Sequence, residues 1–334
     1  MTDAVPAAFQ TLRTHFVDGR TRSCVEPLSI ADLTAGELVV RIRYAGVNYK
    51  DCLSLYGKAK IITAFPRVAG IEFVGDVVES SSPAFTVGAT VLVHGFQTGI
   101  AFDGGFAAYA RVPAAHAMAL PDGLDARETA TLGVPGFTAA MALERFEAMD
   151  LTPASGPIAV SGATGAVGSM ALGILAKAGY RTVAVTRRLD RSEALQTAGA
   201  TEVLDAQVLA APQRALEKPR FAAALDNVGG PMLSWLLRSM QDGGAVASIG
   251  NAAGNGFDGS VLPFIMRRVT LFGIVANAPW PQRQRLWRRL GSDWKPAPAT
   301  FVDDVHEIAL SDLMAHAERQ LGGETSGRTL VTYS

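Results

Sequence analysis

The chain has 334 residues, 49% hydrophobic and 18% charged, which is enough for a large core and indicates two domains. Its formal net charge is -1 and its basic residues form no long run, so we do not expect a nucleic-acid-binding surface. Its two cysteines are too few for a disulfide framework, and its start lacks the pattern of a signal peptide, so we expect a cytoplasmic protein.

The first part of the chain, up to about residue 125, is predicted to be rich in strands, because short apolar runs alternate there with turn residues. Residues 37–44 alternate between apolar and polar side chains, as expected of a strand with one face in water. Residues 71–78 and 89–93 are further predicted strands. We therefore expect a β-rich first domain over residues 1–127.

From residue 128 to 282 the pattern changes to alternating strands and helices. Short β-branched runs predict strands at residues 157–161, 182–186, 222–226, 245–249 and 270–274. Helices are predicted between them at residues 167–178, 191–198, 232–240 and 263–268. Parallel strands need crossover connections, so this alternation predicts an α/β domain with a doubly wound parallel sheet.

The last segment, residues 283–334, is predicted to return to the first domain. A basic helix at residues 282–290 leads into it, residues 308–321 follow, and residues 328–332 form a final strand.

One stretch resembles a membrane span by hydropathy, since residues 151–176 contain no charge. Prolines and glycines interrupt it, among them Pro153, Gly156, Gly162 and Gly165. A strand, a glycine turn and a buried helix explain it better, so we expect no membrane partner.

The strongest local motif for a ligand lies at residues 158–169, where an apolar strand runs through spaced glycines into an apolar helix. Glycine lets the backbone approach a pyrophosphate, and a helix start offers free N–H groups. The spacing is G-x-x-G-x-x-G, so a turn without a ligand remains an alternative. The candidate dinucleotide contacts are Thr164, Gly165, Ala166, Val167 and Gly168.

The end of the next predicted strand indicates which dinucleotide would bind. An NAD site usually places Asp or Glu there, about 20 residues downstream, to bind the ribose 2′-hydroxyl. This chain has Thr186, Arg187 and Arg188 instead. A hydroxyl and two guanidinium groups suit a 2′-phosphate, which predicts NADPH, although the arginines are alternatively solvated charges.

Two later turns follow predicted strand ends of the same sheet, and ligands of such sheets bind at the carboxyl ends of the strands. They supply Asn227, Gly250 and Asn251 as candidate contacts for the nicotinamide ribose.

Several segments together resemble a known family, in order and over nearly the whole chain. They are the stretches VNYKD from Val47, GKAKI from Gly57, FPRVAGIEF from Phe65, GFTA from Gly136 and PFIMR from Pro263. The chain resembles the zinc-free, quinone-oxidoreductase-like medium-chain dehydrogenases/reductases, in particular the acryloyl-CoA reductase group. The resemblance implies a GroES-like β-rich domain followed by a Rossmann domain.

The zinc-dependent relatives in this superfamily carry a catalytic Cys where this chain has Asn48, and a His where it has Ile71. A catalytic zinc needs three protein ligands, and two of these are replaced here. We therefore expect no metal. Hydride transfer without zinc requires an acceptor that delocalises charge by itself, such as an enoyl thioester or a quinone.

The resemblance also implies which residues line the reaction site. It implies that residues 48–51 lie beside the nicotinamide, with Tyr49 as a cofactor or substrate contact and candidate proton donor. Asn48 and Asp51 are supporting catalytic candidates, with interdomain packing of Tyr49 and helix capping by Asp51 as the alternatives. Thr138 and Ile265, both in matched segments, are further candidate cofactor contacts.

Basic residues near this segment offer a further hypothesis about the acceptor. Lys58, Lys60 and Arg67 are candidates to meet the phosphates of coenzyme A, and an ordinary solvated loop is the alternative.

The predicted function is NADPH-dependent reduction of an enoyl-CoA, such as an acryloyl-CoA-like thioester, or of a quinone. A general reductase of enones and enals would use the same site, and a non-catalytic NADPH-binding protein is the alternative of another class. The resemblance further implies a homodimer.

Overall fold

The computed structural model describes residues 5–210 and 214–333, and the chain forms two compact units. The first unit contains the chain up to Val134 and from Asp304 onward, and the second spans Pro135–Asp303.

The first unit begins with eight strands and two helices. The strands are β1 (Phe9–Val17), β2 (Arg20–Leu28), β3 (Leu38–Val47), β4 (Arg67–Val68), β5 (Glu72–Ser80), β6 (Thr90–His94), β7 (Tyr109–Val112) and β8 (Ala117–Ala119). The helices are α1 (Tyr49–Leu55) and α2 (Ala126–Glu147), the second of which continues into the second unit.

The second unit contains the predicted parallel sheet. Its elements are β9 (Ile158–Ser161), α3 (Ala166–Lys177), β10 (Thr182–Thr186), α4 (Ser192–Thr197), β11 (Glu202–Asp205), β12 (Phe221–Asp226), α5 (Gly230–Arg238), β13 (Met240–Ser248), α6 (Leu262–Arg267), β14 (Thr270–Gly273) and α7 (Trp280–Leu290). The strand order is β11-β10-β9-β12-β13-β14, and all these pairs are parallel. The doubly wound fold predicted from the alternating pattern is confirmed.

The C-terminal segment adds β15 (Val305–Ile308), α8 (Leu313–Leu321) and β16 (Arg328–Thr332) to the first unit. β16 pairs antiparallel with β3, with Thr329 opposite Val47, inside the sheet ordered β15-β16-β3-β5-β6-β8. The residues from Asp304 onward therefore lie in the first unit.

The core of the first unit lies on one face of this sheet. Alternate residues of β3, namely Leu38, Val40 and Ile42, are fully buried, as the alternating sequence predicts. A separate three-stranded sheet, ordered β2-β1-β4, packs with its own small apolar cluster.

The two units meet in the chain at 134/135 and 303/304, whereas the sequence placed the boundaries at 127/128 and 282/283. The difference arises from two helices. α2 begins in the first unit and breaks at Gly133, whose φ of 43° and ψ of -147° are not helical. α7 belongs to the second unit, where Trp287 stacks on Phe137 with ring centroids 6.1 Å apart.

The elements that the sequence analysis missed include the β1–β2 hairpin, α1, α2 and the short strands β4, β7, β8 and β11. β2 is largely exposed and polar, so it has no apolar run. α2 contains Gly133 and Pro135, which are signals that usually end a helix. Within the described ranges, every helix is too short or too polar to cross a membrane.

Candidate functional site

The segment after β3 starts helix α1 with a polar cap. The Asp51 carboxylate accepts the Asn48 backbone N–H at Oδ2 (3.0 Å) and the Ile71 backbone N–H at Oδ1 (3.0 Å). An acidic residue in the first turn also interacts favourably with the helix dipole. Asp51 therefore ties the start of α1 to the loop that precedes β5, and its side chain is buried.

The Asn48 amide is held by two carboxylates. Its Nδ2 donates to Glu72 Oε1 (2.7 Å) and to Asp51 Oδ2 (3.2 Å). Since carboxylate oxygens only accept, the nitrogen end of the amide must face them, and its two hydrogens are used there. Asn48 consequently has no side-chain hydrogen left to donate to a developing oxyanion.

Burial raises the pKa of Asp51 to about 7, against the hydrogen bonds from Asn48 that lower it. The charge of Glu72 raises this pKa further, and the N–H of Ile71 lowers it. The carboxyl of Asp51 is therefore close to half protonated near neutral pH.

Tyr49 differs from both neighbours in its exposure. It is the first residue of α1 and is 36% exposed, whereas Asn48 and Asp51 are buried. Among residues 48, 49 and 51, its phenol is the group with both a free path to solvent and a transferable proton.

The predicted dinucleotide turn joins β9 to α3, as the sequence indicated. Gly162 has a φ of 57°, and the N–H of Gly165, the N-cap of α3, donates to Gly162 O (2.9 Å). A Cβ on Gly168 would overlap Gly162 O and lie 2.7 Å from Ala163 Cα. Thr164, Ala166 and Val167 lie on the turn or the first turn of α3, whose leading N–H groups have no helical acceptor.

The next strand ends in the predicted Thr-Arg-Arg segment. Thr186 is buried at the end of β10, and its hydroxyl oxygen accepts the Arg188 N–H (2.9 Å). Arg187 is exposed, and Arg188 is half-buried with an ion pair to Asp190 (3.4 Å). The guanidinium of Arg187 is therefore accessible to an anion. It follows the carboxyl end of β10, at the same edge of the sheet as the glycine turn after β9.

Asn227 is tied to the end of β9. Its backbone N–H donates to Ser161 Oγ (2.9 Å), and its Nδ2 donates to Ser161 O (2.8 Å). Ser161 Oγ in turn donates to Asp226 Oδ1 (2.6 Å), and burial raises the pKa of Asp226. This network joins the carboxyl ends of the two central strands.

Gly250 packs against the same strand end, because a Cβ there would overlap Asn227 O and lie 2.8 Å from Asn227 C. The structure thus brings Asn227 and Gly250 together. Asn251 is exposed and bonds to Asn255 (2.6 Å).

The remaining candidates of the second unit lie on helices. Thr138 is buried in α2, after the break at Gly133. Ile265 lies on α6 with a largely exposed side chain.

The hypothesis that three basic side chains meet the phosphates of coenzyme A needs a correction. Lys58 and Lys60 are exposed, but Arg67 is buried and pairs with Asp103 (3.2 Å). The guanidinium of Arg67 is therefore unable to meet a phosphate. The sequence did not show this because Asp103 lies in a distant loop.

Sequence reasoning missed two residues of this site. The sequence places Glu72 within the matched stretch from Phe65 and Arg328 at the start of a predicted strand, and it indicates no role in the site for either. The structure joins them in a buried ion pair (2.6 Å). No local pattern predicts a contact between residues so far apart in the chain.

A catalytic zinc does not fit the donors around Asn48. Asn48 and Ile71 occupy the two positions where the zinc-dependent relatives have Cys and His ligands. The Glu72 carboxylate is neutralised by Arg328. Among the described residues, His15, Cys24 and Glu26 on the β1–β2 hairpin have metal-ligand composition, but Glu26 is already paired with Arg13 (3.3 Å). The absence of a metal stays a prediction.

Two family models match the chain in the predicted order. Residues 34–122 match the alcohol dehydrogenase GroES-like domain, and residues 166–292 match the zinc-binding dehydrogenase family.

Curated relatives match over almost their full length. The chain is 39% identical over 316 residues to the "Probable acrylyl-CoA reductase AcuI" of Escherichia coli (strain K12), covering 94% of this chain and 96% of that protein. It is 37% identical to the acrylyl-CoA reductase AcuI of Ruegeria pomeroyi, covering 94% and 95%. It is 35% identical to the "Putative quinone oxidoreductase YhfP" of Bacillus subtilis, covering 92% and 93%.

Solved structures agree with these relatives. The E. coli K-12 protein YhdH with bound NADPH superposes with a TM-score of 0.92 at 38% identity, covering 97% of this chain and 100% of that one. The Bacillus subtilis protein YhfP with bound NAD has a TM-score of 0.92 at 34% identity, covering 98% and 100%.

Proposed function

Because this chain belongs to the zinc-free medium-chain dehydrogenases/reductases, in the group that includes acrylyl-CoA reductases, we propose that it reduces an activated alkene with NADPH. The substrate class is a short enoyl thioester resembling acryloyl-CoA, with quinones as a second class of acceptor. The observation that carries this proposal is the full-length similarity to two named acrylyl-CoA reductases.

The residues present fit NADPH. Gly162 has a positive φ of 57°, and a Cβ on Gly168 would overlap Gly162 O, so the turn favours glycine at both positions. The helix that starts there offers free N–H groups to a pyrophosphate. Arg187 and Arg188 follow β10 where an NAD site usually has a carboxylate, and guanidinium groups bind phosphate bidentately. When bound, NADPH supplies a hydride to the β-carbon of the acceptor.

Reduction of the C=C bond of the enoyl thioester then needs a proton for the α-carbon and stabilisation of the enolate oxygen. Tyr49 is assigned as the donor, because among Asn48, Tyr49 and Asp51 its side chain is the exposed one and its hydroxyl carries a proton. Asn48 and Asp51 are assigned positioning roles, since the amide hydrogens of Asn48 go to carboxylates and Asp51 caps α1. The proton moves from Tyr49 to the α-carbon, and solvent reprotonates the phenolate.

The proposal includes a homodimer in the cytoplasm. β14 is the last strand of its sheet, and exposed apolar side chains precede and follow it in the chain, including Ile265, Met266 and Val275. An unpaired edge with an apolar patch is typical of an association surface. The cytoplasmic location rests on the cysteine usage, with Cys24 and Cys52 both free thiols.

The function is tested by offering acryloyl-CoA, simple enones, enals and quinones with NADPH and with NADH, and following cofactor absorbance. We expect acryloyl-CoA to give the highest kcat/KM and NADPH to be preferred. Equal rates for free enones and acryloyl-CoA would favour a general enone reductase. Cofactor binding without turnover of any acceptor would contradict the enzymatic proposal.

Cofactor preference has a separate variant test. Replacing Arg187 and Arg188 by Ala should raise KM for NADPH by about 10- to 100-fold, as expected for lost hydrogen bonds to a charged group. KM for NADH should change little, and an equal change for both cofactors would contradict the assignment. Arg191 provides the control variant, Arg191→Ala, because it is the next arginine in the chain.

A further inference from the structure

The Arg328–Glu72 ion pair is fully enclosed in the first unit. The side chains are 0% and 2% exposed, and Arg328 Nη2 lies 2.6 Å from Glu72 Oε1. Arg328 also donates from Nη1 to Val47 O (3.1 Å) and from Nη2 to Ala130 O (2.9 Å). A buried ion pair often contributes little net stability, so stability alone does not account for this arrangement.

The Glu72 carboxylate holds a different group with each oxygen. Oε1 accepts Asn48 Nδ2 (2.7 Å) in addition to Arg328, and Oε2 accepts the Val134 N–H (2.6 Å). Val134 directly follows Gly133, where α2 breaks. One carboxylate therefore connects the residue before Tyr49 to the backbone at the break.

Two glycines make room for this arrangement. A Cβ on Gly46 would overlap Arg328 Nη2, and a Cβ on Gly133 would overlap Glu72 Oε2. Gly133 also has a positive φ of 43°. The backbone at Gly46 and at Gly133 therefore packs directly against the charged groups, with no space for a side chain at either position.

We infer that Glu72, neutralised by Arg328, is a positioning residue for the reduction: it fixes the Asn48 amide, and so the start of α1 with Tyr49, to the break at Gly133–Val134. The inference rests on the proposed function for its catalytic consequence. Glu72 and Arg328 are buried away from solvent, so they act through Asn48 and Val134 and not on the substrate.

The chain offers a matched control in the same unit. Asp103 pairs with buried Arg67 (3.2 Å) and accepts the backbone N–H groups of Val68 (2.9 Å) and Thr34 (2.8 Å). Like Glu72–Arg328, Asp103–Arg67 is a buried ion pair whose carboxylate also accepts backbone N–H groups. None of its described hydrogen bonds involves residues 48–51. Loss of either ion pair should lower the free energy of unfolding, whereas only loss of the Glu72–Arg328 pair should lower kcat.

The test compares the double variants Glu72→Gln/Arg328→Gln and Asp103→Asn/Arg67→Gln, each of which leaves no lone buried charge. In the Glu72 pair we expect kcat for acryloyl-CoA to fall about 10- to 100-fold, a size expected for misplaced catalytic groups. The dissociation constant for NADPH should stay within about twofold, since the glycine turn is untouched. In the control pair kcat should stay near wild type.

A second variant covers the case in which the double variant does not fold. Glu72→Asp keeps the charge but is one methylene shorter, so its oxygens no longer reach both Asn48 and Val134. We expect the same fall in kcat, together with a larger solvent isotope effect, because Tyr49, the proposed proton donor, is the group that is displaced. Arg328→Lys keeps a cation beside Glu72, so its kcat should lie closer to that of the wild type than to that of the double variant Glu72→Gln/Arg328→Gln.

A readout without turnover separates this inference from the proposed function. Hydrogen exchange at the Val134 amide should speed up at least tenfold in Glu72→Asp and stay unchanged in the control pair. Wild-type inactivity toward every acceptor would defeat the proposed function while leaving this exchange result interpretable. Unchanged exchange and kcat in Glu72→Asp, or equal loss of kcat in both pairs, would overturn the positioning role.

Discussion

Residues 48, 49 and 51 are sequence neighbours with different surroundings. Asn48 and Asp51 direct their polar atoms to each other, to Glu72 and to Ile71, while Tyr49 keeps part of its ring in solvent. The Asn48 amide has no spare hydrogen to donate and the Asp51 carboxyl is buried at the start of α1, so both suit positioning, whereas the exposed phenol of Tyr49 suits proton donation.

Replacing Tyr49 by Phe should lower kcat by about 100-fold or more, the usual contribution of a general acid, without weakening NADPH binding. Steady-state kinetics with acryloyl-CoA and fluorescence titration of NADPH check both parts. Tyr44→Phe is the control, a tyrosine on β3 outside residues 48–51. An undiminished kcat in Tyr49→Phe would remove Tyr49 from the mechanism.

The pKa of Asp51 predicts how stability depends on pH. Burial raises it to about 7 from an ordinary value of 3.8, so the folded state binds this proton more tightly than the unfolded state. This group's contribution is therefore most favourable below about pH 4, is lost as the pH rises toward 7, and stays lost above it.

The measurement is urea unfolding at pH 5 and at pH 8. For the wild type we expect Asp51 to make the free energy of unfolding about 2–3 kcal/mol lower at pH 8 than at pH 5. Asp51→Asn removes the titration, so the two values should converge by that amount. The same pH difference in variant and wild type would contradict a raised pKa.

The β9–turn–α3 element shows how local sequence specifies a strand–turn–helix geometry. Its strand is apolar, its turn needs the positive φ of Gly162, and the start of α3 needs the missing side chain of Gly168. All three features lie within a few residues of each other, so the local sequence alone predicts this element.

Gly168→Ala should place a methyl group against Gly162 O and Ala163, both of which are backbone atoms that have little freedom to move. We expect a cost of about 1–3 kcal/mol in stability from overpacking, and weaker NADPH binding as the turn shifts. Thermal unfolding with and without NADPH measures both. Gly256→Ala is the control, since a Cβ there meets nothing within 4 Å; equal effects of the two variants would contradict the prediction.

At the scale of the whole molecule, the open edge of the parallel sheet predicts association. β14 ends the strand order, and Val275, just beyond it, is 74% exposed. Val275→Glu should place a charge in the interface and shift the protein from twice the chain mass toward one chain mass in light scattering. Val302→Glu, at 67% exposure, is the matched control. A monomeric wild type would contradict the homodimer.

The sequence by itself determined the features that depend on nearby residues. The alternation of strands and helices fixed the parallel sheet of the second unit, and the spacing of glycines placed the turn between β9 and α3. The Thr186–Arg188 segment predicted the phosphate end of the cofactor. Each of these depends on backbone conformations and side-chain types that neighbouring residues impose.

Only the tertiary structure decided which charges are neutralised and which remain accessible. It paired Arg67 with Asp103 and Arg328 with Glu72, and it turned the hydrogens of Asn48 toward carboxylates. Arg328 and Glu72 are brought together by sheet pairing, β16 beside β3 and β3 beside β5. Contacts between residues far apart in the chain follow from strand order and burial, which no local pattern contains.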